Sequence, residues 1–132
     1  MEITVTIHPA EHPTAIMKLK GEISAATYMD IVNKAQELFD NPARNLIIDL
    51  SEVSTVSSSG LVGLHKIALI YSGEPHGIKD YNPDATHSSN ARKFVKLLNP
   101  KPEVDNALKT AGLKLFFKVY TDLEAALQAF ES

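Results

Sequence analysis

The 132-residue sequence predicts an α/β fold. Its sheet should be mixed and mainly parallel, of about five strands with an antiparallel edge strand at the N-terminus, and it should carry about four helices. Three observations carry this. Strand-like and helix-like stretches alternate, the pattern of right-handed crossovers on a parallel sheet. The first two strand-like stretches are separated only by a turn over 9–13, as in an antiparallel hairpin. Leu46, Ile47, Ile48 and Leu50 form a short apolar run of the kind found in a strand buried on both faces.

Ile3, Val5 and Ile7 alternate with Glu2, Thr4, Thr6 and His8, which predicts a half-buried first strand. Ala15, Met17 and Leu19 alternate with Ile16, Lys18 and Lys20, giving the second, with Gly21 near its exit. Ser24 is placed to cap a helix whose stripe is Tyr28, Ile31, Val32, Ala35, Leu38 and Phe39, stopped at Asn41-Pro42. The central strand at Leu46 follows and is expected to end in a polar turn from Ser51 to Thr55.

Next comes Ser57-Ser58-Ser59-Gly60 and a helix from about Ser59 to Tyr71. At about 100° per residue its core stripe is Leu61, Leu64, Ile67, Ala68 and Tyr71. Gly60 lies near that stripe, where a missing side chain allows close approach to the sheet. Val62, Lys66 and Leu69 lie outward, with His65 beside them. Two aliphatics there are either ordinary exposed apolar residues or part of a partner-binding face.

The stretch from Ser72 to about Arg92 is rich in Gly, Pro and polar residues and reads as a loop or insertion within a single domain spanning 1–132. Phe94 to Leu98 fits a strand, or a helix capped by Ser89 with Ala91, Phe94, Val95 and Leu98 at helical spacing. Pro102 opens a helix with Val104, Ala107, Leu108 and Ala111 inward, ended by Gly112. Leu115 to Tyr120 is the last strand. Thr121-Asp122-Leu123-Glu124 reads as a capping box, opening a helix with Leu123, Ala126, Leu127 and Phe130 inward.

Composition narrows the function. There is no cysteine, which suits a reducing, cytoplasmic setting and excludes thiol catalysis and thiolate-bound metal. The start is polar and alternating, unlike a signal peptide, and no run is long enough to cross a bilayer. Thirteen Lys plus Arg against 16 Asp plus Glu leave a net charge of −3, which argues against nucleic acid as the main partner.

The sequence has no G-x-S-x-G elbow and no P-loop lysine beside Gly60 and Gly63. His76, Asp80, Asp84 and His87 match no metal-site spacing. A Ser58–His65–Asp49 triad fails on the helical wheel, because His65 lies outward and about two turns from Ser58. No enzyme, cofactor or metal is indicated. What remains is a hydroxyl at a helix N-terminus, where unpartnered N–H groups accommodate a phosphate. The same serines also read as simple cap and turn residues.

The stretch LIIDLSEVSTVSSSGLVGL, with the tail VKLLNPKPEVDNALKTAGLKLFFKVYTDLEAALQAF, resembles STAS domains, the sulfate-transporter and anti-sigma-factor-antagonist fold. In that family a buried strand leads through Asp-Ser-Ser-Gly or Asp-Ser-Thr-Gly into a helix. The resemblance spans nearly the whole chain except Ser72 to about Arg92 and implies a strand at Phe94 to Leu98. It implies that Ser58 is the candidate phosphosite, within a switch turn of Ser57, Ser59 and Gly60; the outward residues Val62, His65, Lys66 and Leu69 of the following helix are then the candidate partner-binding face. That partner would be a serine kinase doubling as an anti-sigma factor, with a phosphatase reversing the modification. The domain itself would be a monomer or weak homodimer.

Two departures stand out: Ser57 occupies the usual Asp position, and the insertion follows the docking helix. Other members of the family are scaffolds, sensors of a nucleotide or other anion, or transporter-associated regulatory subunits, and these remain alternatives.

Overall fold

The computed structural model describes residues 1–9, 13–40, 45–71 and 94–130. The elements run β1 (Glu2–His8), β2 (Thr14–Ile23), α1 (Tyr28–Asp40), β3 (Asn45–Val56), α2 (Ser58–Tyr71), β4 (Val95–Leu98), α3 (Pro102–Thr110), a 3-10 turn (Leu113–Leu115), β5 (Lys118–Tyr120) and α4 (Leu123–Ala129). They form a five-stranded sheet in the order β1-β2-β3-β4-β5. β1 is antiparallel to β2 and the other pairs are parallel. This is the mixed sheet the sequence predicts, and Val95–Leu98 is a strand. The insertion at about 72–92, with His76, Asp80, Asp84 and His87, lies outside the described residues.

The two faces of the sheet are covered unequally. Met17, Leu19, Ile48, Leu50 and Leu97 point to the main core, where they meet Ile31 and Val32 of α1, Leu64 and Ile67 of α2, Val104 and Leu108 of α3, and Phe117. Ile47 and Leu98 point the other way and are covered by Ala126 of α4, with Ile16, Tyr120, Leu127 and Phe130 around them. Ile47 and Ile48 are therefore both fully buried, on opposite sides of one strand, which explains the uninterrupted apolar run. Lys96 is buried on the α4 side, its ammonium 5.2 Å from the centre of the Phe130 ring. Such an arrangement suits a long aliphatic stem with a cationic tip.

The polar turn expected at Ser51 to Thr55 is instead strand. β3 continues to Val56, and its pairing with β2 shifts by one residue twice, between Lys18 and Lys20 and between Gly21 and Ile23. Each shift inserts an extra residue into β3, as a β-bulge does. The residues facing the main core are consequently Leu46, Ile48, Leu50, Val53 and Val56: a spacing of two, then of three. Polar residues between Leu50 and Val56 look like a turn only if strict alternation is assumed.

Three element ends also differ from expectation. α1 begins at Tyr28 rather than just after Ser24. The Ser24 N–H donates to Thr27 Oγ1 (2.8 Å), and Thr27 Oγ1 donates to the Glu22 carbonyl (2.8 Å). These local bonds hold a turn in place of the first helical residues. β5 is shorter than the predicted 115–120. After Gly112, at φ 75°, the chain makes a 3-10 turn because Leu113 and Phe117, four apart and both buried, anchor a helical rather than an extended path, leaving Leu115 68% exposed. The cap of α4 is Asp122, whose carboxylate accepts the Ala125 N–H at 3.1 Å, so Thr121 is outside the helix. Leu123, at the first helical position, is exposed, and Ala126 is the fully buried contact.

Asp122→Ala should cost about 1 kcal/mol of stability by the loss of this cap, and Thr121→Ala should be close to neutral. Urea unfolding of the two variants checks the assignment.

Candidate functional site

The site is built where β2, β3 and α2 meet. As β3 ends, the Ser57 N–H donates to the Ile23 carbonyl at 2.8 Å, tying the turn to the end of β2. Ser57 Oγ then accepts the Gly60 N–H at 3.1 Å, and its carbonyl accepts the Leu61 N–H at 2.9 Å. Ser57 therefore caps α2 with a neutral hydroxyl. The first turn of α2 has no acidic residue, so the partial positive charge of the helix start is not offset by a side-chain charge there. Ser58 is exposed, Ser59 is half-buried and Gly60 is buried.

Close packing fixes this geometry. A Cβ on Gly60 would lie 2.7 Å from the Ile23 carbonyl oxygen and 2.9 Å from Val56 Cγ1. One turn on, a Cβ on Gly63 would lie 3.0 Å from the Tyr28 ring, so α2 also approaches the start of α1 closely. Leu64, Ile67, Ala68 and Tyr71 are buried as predicted, Leu61 is only half-buried, and Ile70 joins the core.

The four residues expected to bind a partner are divided between two sides of α2. Val62, 52% exposed, and His65 border an apolar hollow of about 270 Å³ with Leu61, Ala111, Leu113 and Phe116. The His65 ring meets Phe116 edge-on, with centroids 4.9 Å apart. Burial lowers the His65 pKa below its ordinary value and favours the neutral imidazole. Lys66 turns the other way, its ammonium 6.0 Å from the centre of the Tyr28 ring. Leu69 is half-buried further along.

Phe116 and Leu113 are not legible as site residues, since Phe116 reads as part of a strand and Leu113 falls between that strand and the helix ended by Gly112. The four-residue interval between Leu113 and Phe117 is the signal that could have exposed the turn presenting them. Ala111, expected inside α3, is exposed at its C-cap and borders the hollow.

The triad considered from sequence is not assembled. Asp49 Oδ1 accepts the Ser51 N–H at 3.0 Å. Two residues from Ile47, its side chain points to the α4 side of the sheet, away from α2. Ser58 and His65 stand two turns apart along the helix, about 10 Å by its rise.

Fold and turn together define a SpoIIAA-like α/β domain, with a capped serine turn between the central strand and its following helix. A STAS domain model matches residues 4–71, and the chain belongs to the STAS domain family. Among solved structures it is similar to an anti-sigma factor antagonist from Mycobacterium paratuberculosis, at 21% identity over 99% of this chain and 96% of that one, with a TM-score of 0.69. It is similar to the anti-sigma factor antagonist SpoIIAA in its unphosphorylated form, at 17% identity, 98% of each chain and a TM-score of 0.66. The phosphorylated form of the Bacillus cell fate determinant SpoIIAA gives 17% identity over 95% of this chain and 98% of that one, with a TM-score of 0.59. At these identities the likeness is one of fold. No curated protein sequence matches the chain.

Gly60→Ala should lower stability by about 1–3 kcal/mol, because backbone as well as side chains must shift; urea unfolding measures it. His65 gives a pH signature. Its folded-state pKa lies below the unfolded value of 6.5, so its contribution is complete above pH 6.5 and is lost as pH falls through the lower, folded pKa. The loss of stability on acidification should therefore be smaller in His65→Gln than in the parent, read as the difference between their unfolding midpoints across that range.

Proposed function

We propose that the chain is a regulatory protein-binding domain of the anti-sigma factor antagonist type, binding a serine kinase that doubles as an anti-sigma factor and released from it by phosphorylation of Ser58. The reading places it in the cytoplasm and makes it a binding module rather than a catalyst. Membership of the STAS family and the SpoIIAA-like fold support a regulatory role. One observation carries the site. Ser58 is exposed at the first residue of α2, and Val62, His65 and Leu69 follow at intervals of four, seven and eleven residues, along one helical face.

The physics of the switch is local. A phosphoserine carries about −1.5 to −2 charges at pH 7. At the start of α2 that charge lies at the positive end of the helix with no acidic side chain in the first turn, so the domain keeps its fold. At an interface over Val62 and the hollow, the same charge must be desolvated. A penalty of about 3 kcal/mol weakens binding more than a hundredfold. Ser57 supplies the cap bond that a carboxylate would supply, without its charge, so the kinase must accept a neutral residue before its target serine.

A pull-down from the native host, with phosphosite mapping, identifies the partner and tests the site. Ser58→Ala should leave fold and partner binding intact and abolish regulation. Ser58→Asp should weaken binding by about a hundredfold or less, as a single charge does less than a phosphate. If both variants bind the captured partner as the parent does, or no phosphate maps to Ser58, the switch at this serine is wrong.

A further inference from the structure

We propose that β1 is a self-pairing edge, through which two copies of the chain join their sheets across a two-fold axis at Val5. The two edges of the sheet are unlike. β5 is three residues long and begins with Lys118, a short strand with a charge that discourages pairing. β1 has seven residues, Glu2–His8, and pairs with β2 in unbroken register from Glu2 opposite Lys20 to His8 opposite Thr14. It contains no Lys, no Pro and no bulge, and among the described residues no strand lies beside its outer edge. Its outward N–H and C=O groups are a template for another strand.

The sequence of β1 says which strand fits. Read from either end, Ile3-Thr4-Val5-Thr6-Ile7 is the same. An antiparallel pair centred on Val5 sets Ile3 opposite Ile7 of the second copy, Thr4 opposite Thr6, and Val5 opposite Val5. Aliphatic pairs and Thr–Thr pairs are favourable cross-strand neighbours. At the ends the pattern is complementary rather than identical. Glu2 falls opposite His8 of the second copy, an acceptor against a donor in either protonation state of the imidazole.

The faces also agree. Ile3 and Val5 already lean on the main core, and Ile7 on the same side is 49% exposed. Pairing would cover that exposed isoleucine with Ile3 of the second copy. A single seven-residue strand contact is smaller than the usual stable interface, so the dimer is concentration-dependent. It uses no residue of α2, and it stands or falls independently of Ser58.

Sedimentation equilibrium from micromolar to millimolar protein tests this. The parent should show a monomer–dimer equilibrium. Thr4→Lys with Thr6→Lys sets like charges opposite each other twice, on the exposed side of β1, and should raise the dimer dissociation constant about tenfold or more. Thr4→Lys with Thr6→Glu sets opposite charges in the same register and should restore dimerisation to the parent level or better. In the parent itself, amide exchange within β1 should slow as concentration rises, which needs no variant to fold. A parent that stays monomeric throughout, or a dimer indifferent to the double lysine, overturns the proposal. A lysine–glutamate variant no tighter than the double lysine overturns the register.

Discussion

The contact between Ile23 and the turn after β3 sets the position of nearly everything that matters here. The Ile23 carbonyl accepts the Ser57 N–H and also occupies the space a side chain on residue 60 would need. A single peptide group thus fixes the exit of β3, the cap of α2 and the identity of Gly60. Ser57 is held at both its N–H and its hydroxyl, so the turn that carries the exposed Ser58 is pinned rather than loose.

From that anchor α2 is drawn tightly across the sheet, and Gly63 lets it approach α1 at Tyr28. The approach divides the outer surface of the helix. Lys66 is directed towards Tyr28, whereas Val62 and His65 face the 3-10 turn and Phe116. One side is consequently cationic and the other apolar, with the serine at the head of the apolar side. A partner reading Val62 and Phe116 would be close to any charge placed on Ser58. A partner reading Lys66 would be less sensitive to it.

Much of this was legible because it depends on short-range rules. Hairpin alternation in β1 and β2, the α1 stripe and the glycine at position 60 all follow from periodicity and size. The proposal that the serine turn is functional rests on family resemblance, not on the serines themselves, which serve equally well as plain caps. What was missed depended on long-range packing. Ser51–Thr55 looks like a turn because two bulges break the alternation, and those bulges exist only in relation to β2. Phe116 enters the site because Leu113 and Phe117 are buried together, which no local pattern around Phe116 announces. At Ser24 and Thr121, residues with good capping chemistry spend it on a turn or lie one position outside the helix.

The two bulges in β3 have a consequence for how such a chain can drift. Between Leu50 and Ser57 only Val53 and Val56 face the core, and the other four residues are polar. Each bulge holds one β3 residue with no counterpart on β2, so losing a polar residue at a bulge would return that stretch to a regular ladder, with Val53, Val56 and Ser57 still meeting the same part of β2. The segment therefore has slack in its polar positions, and the bulges act as a reserve of length ahead of the turn.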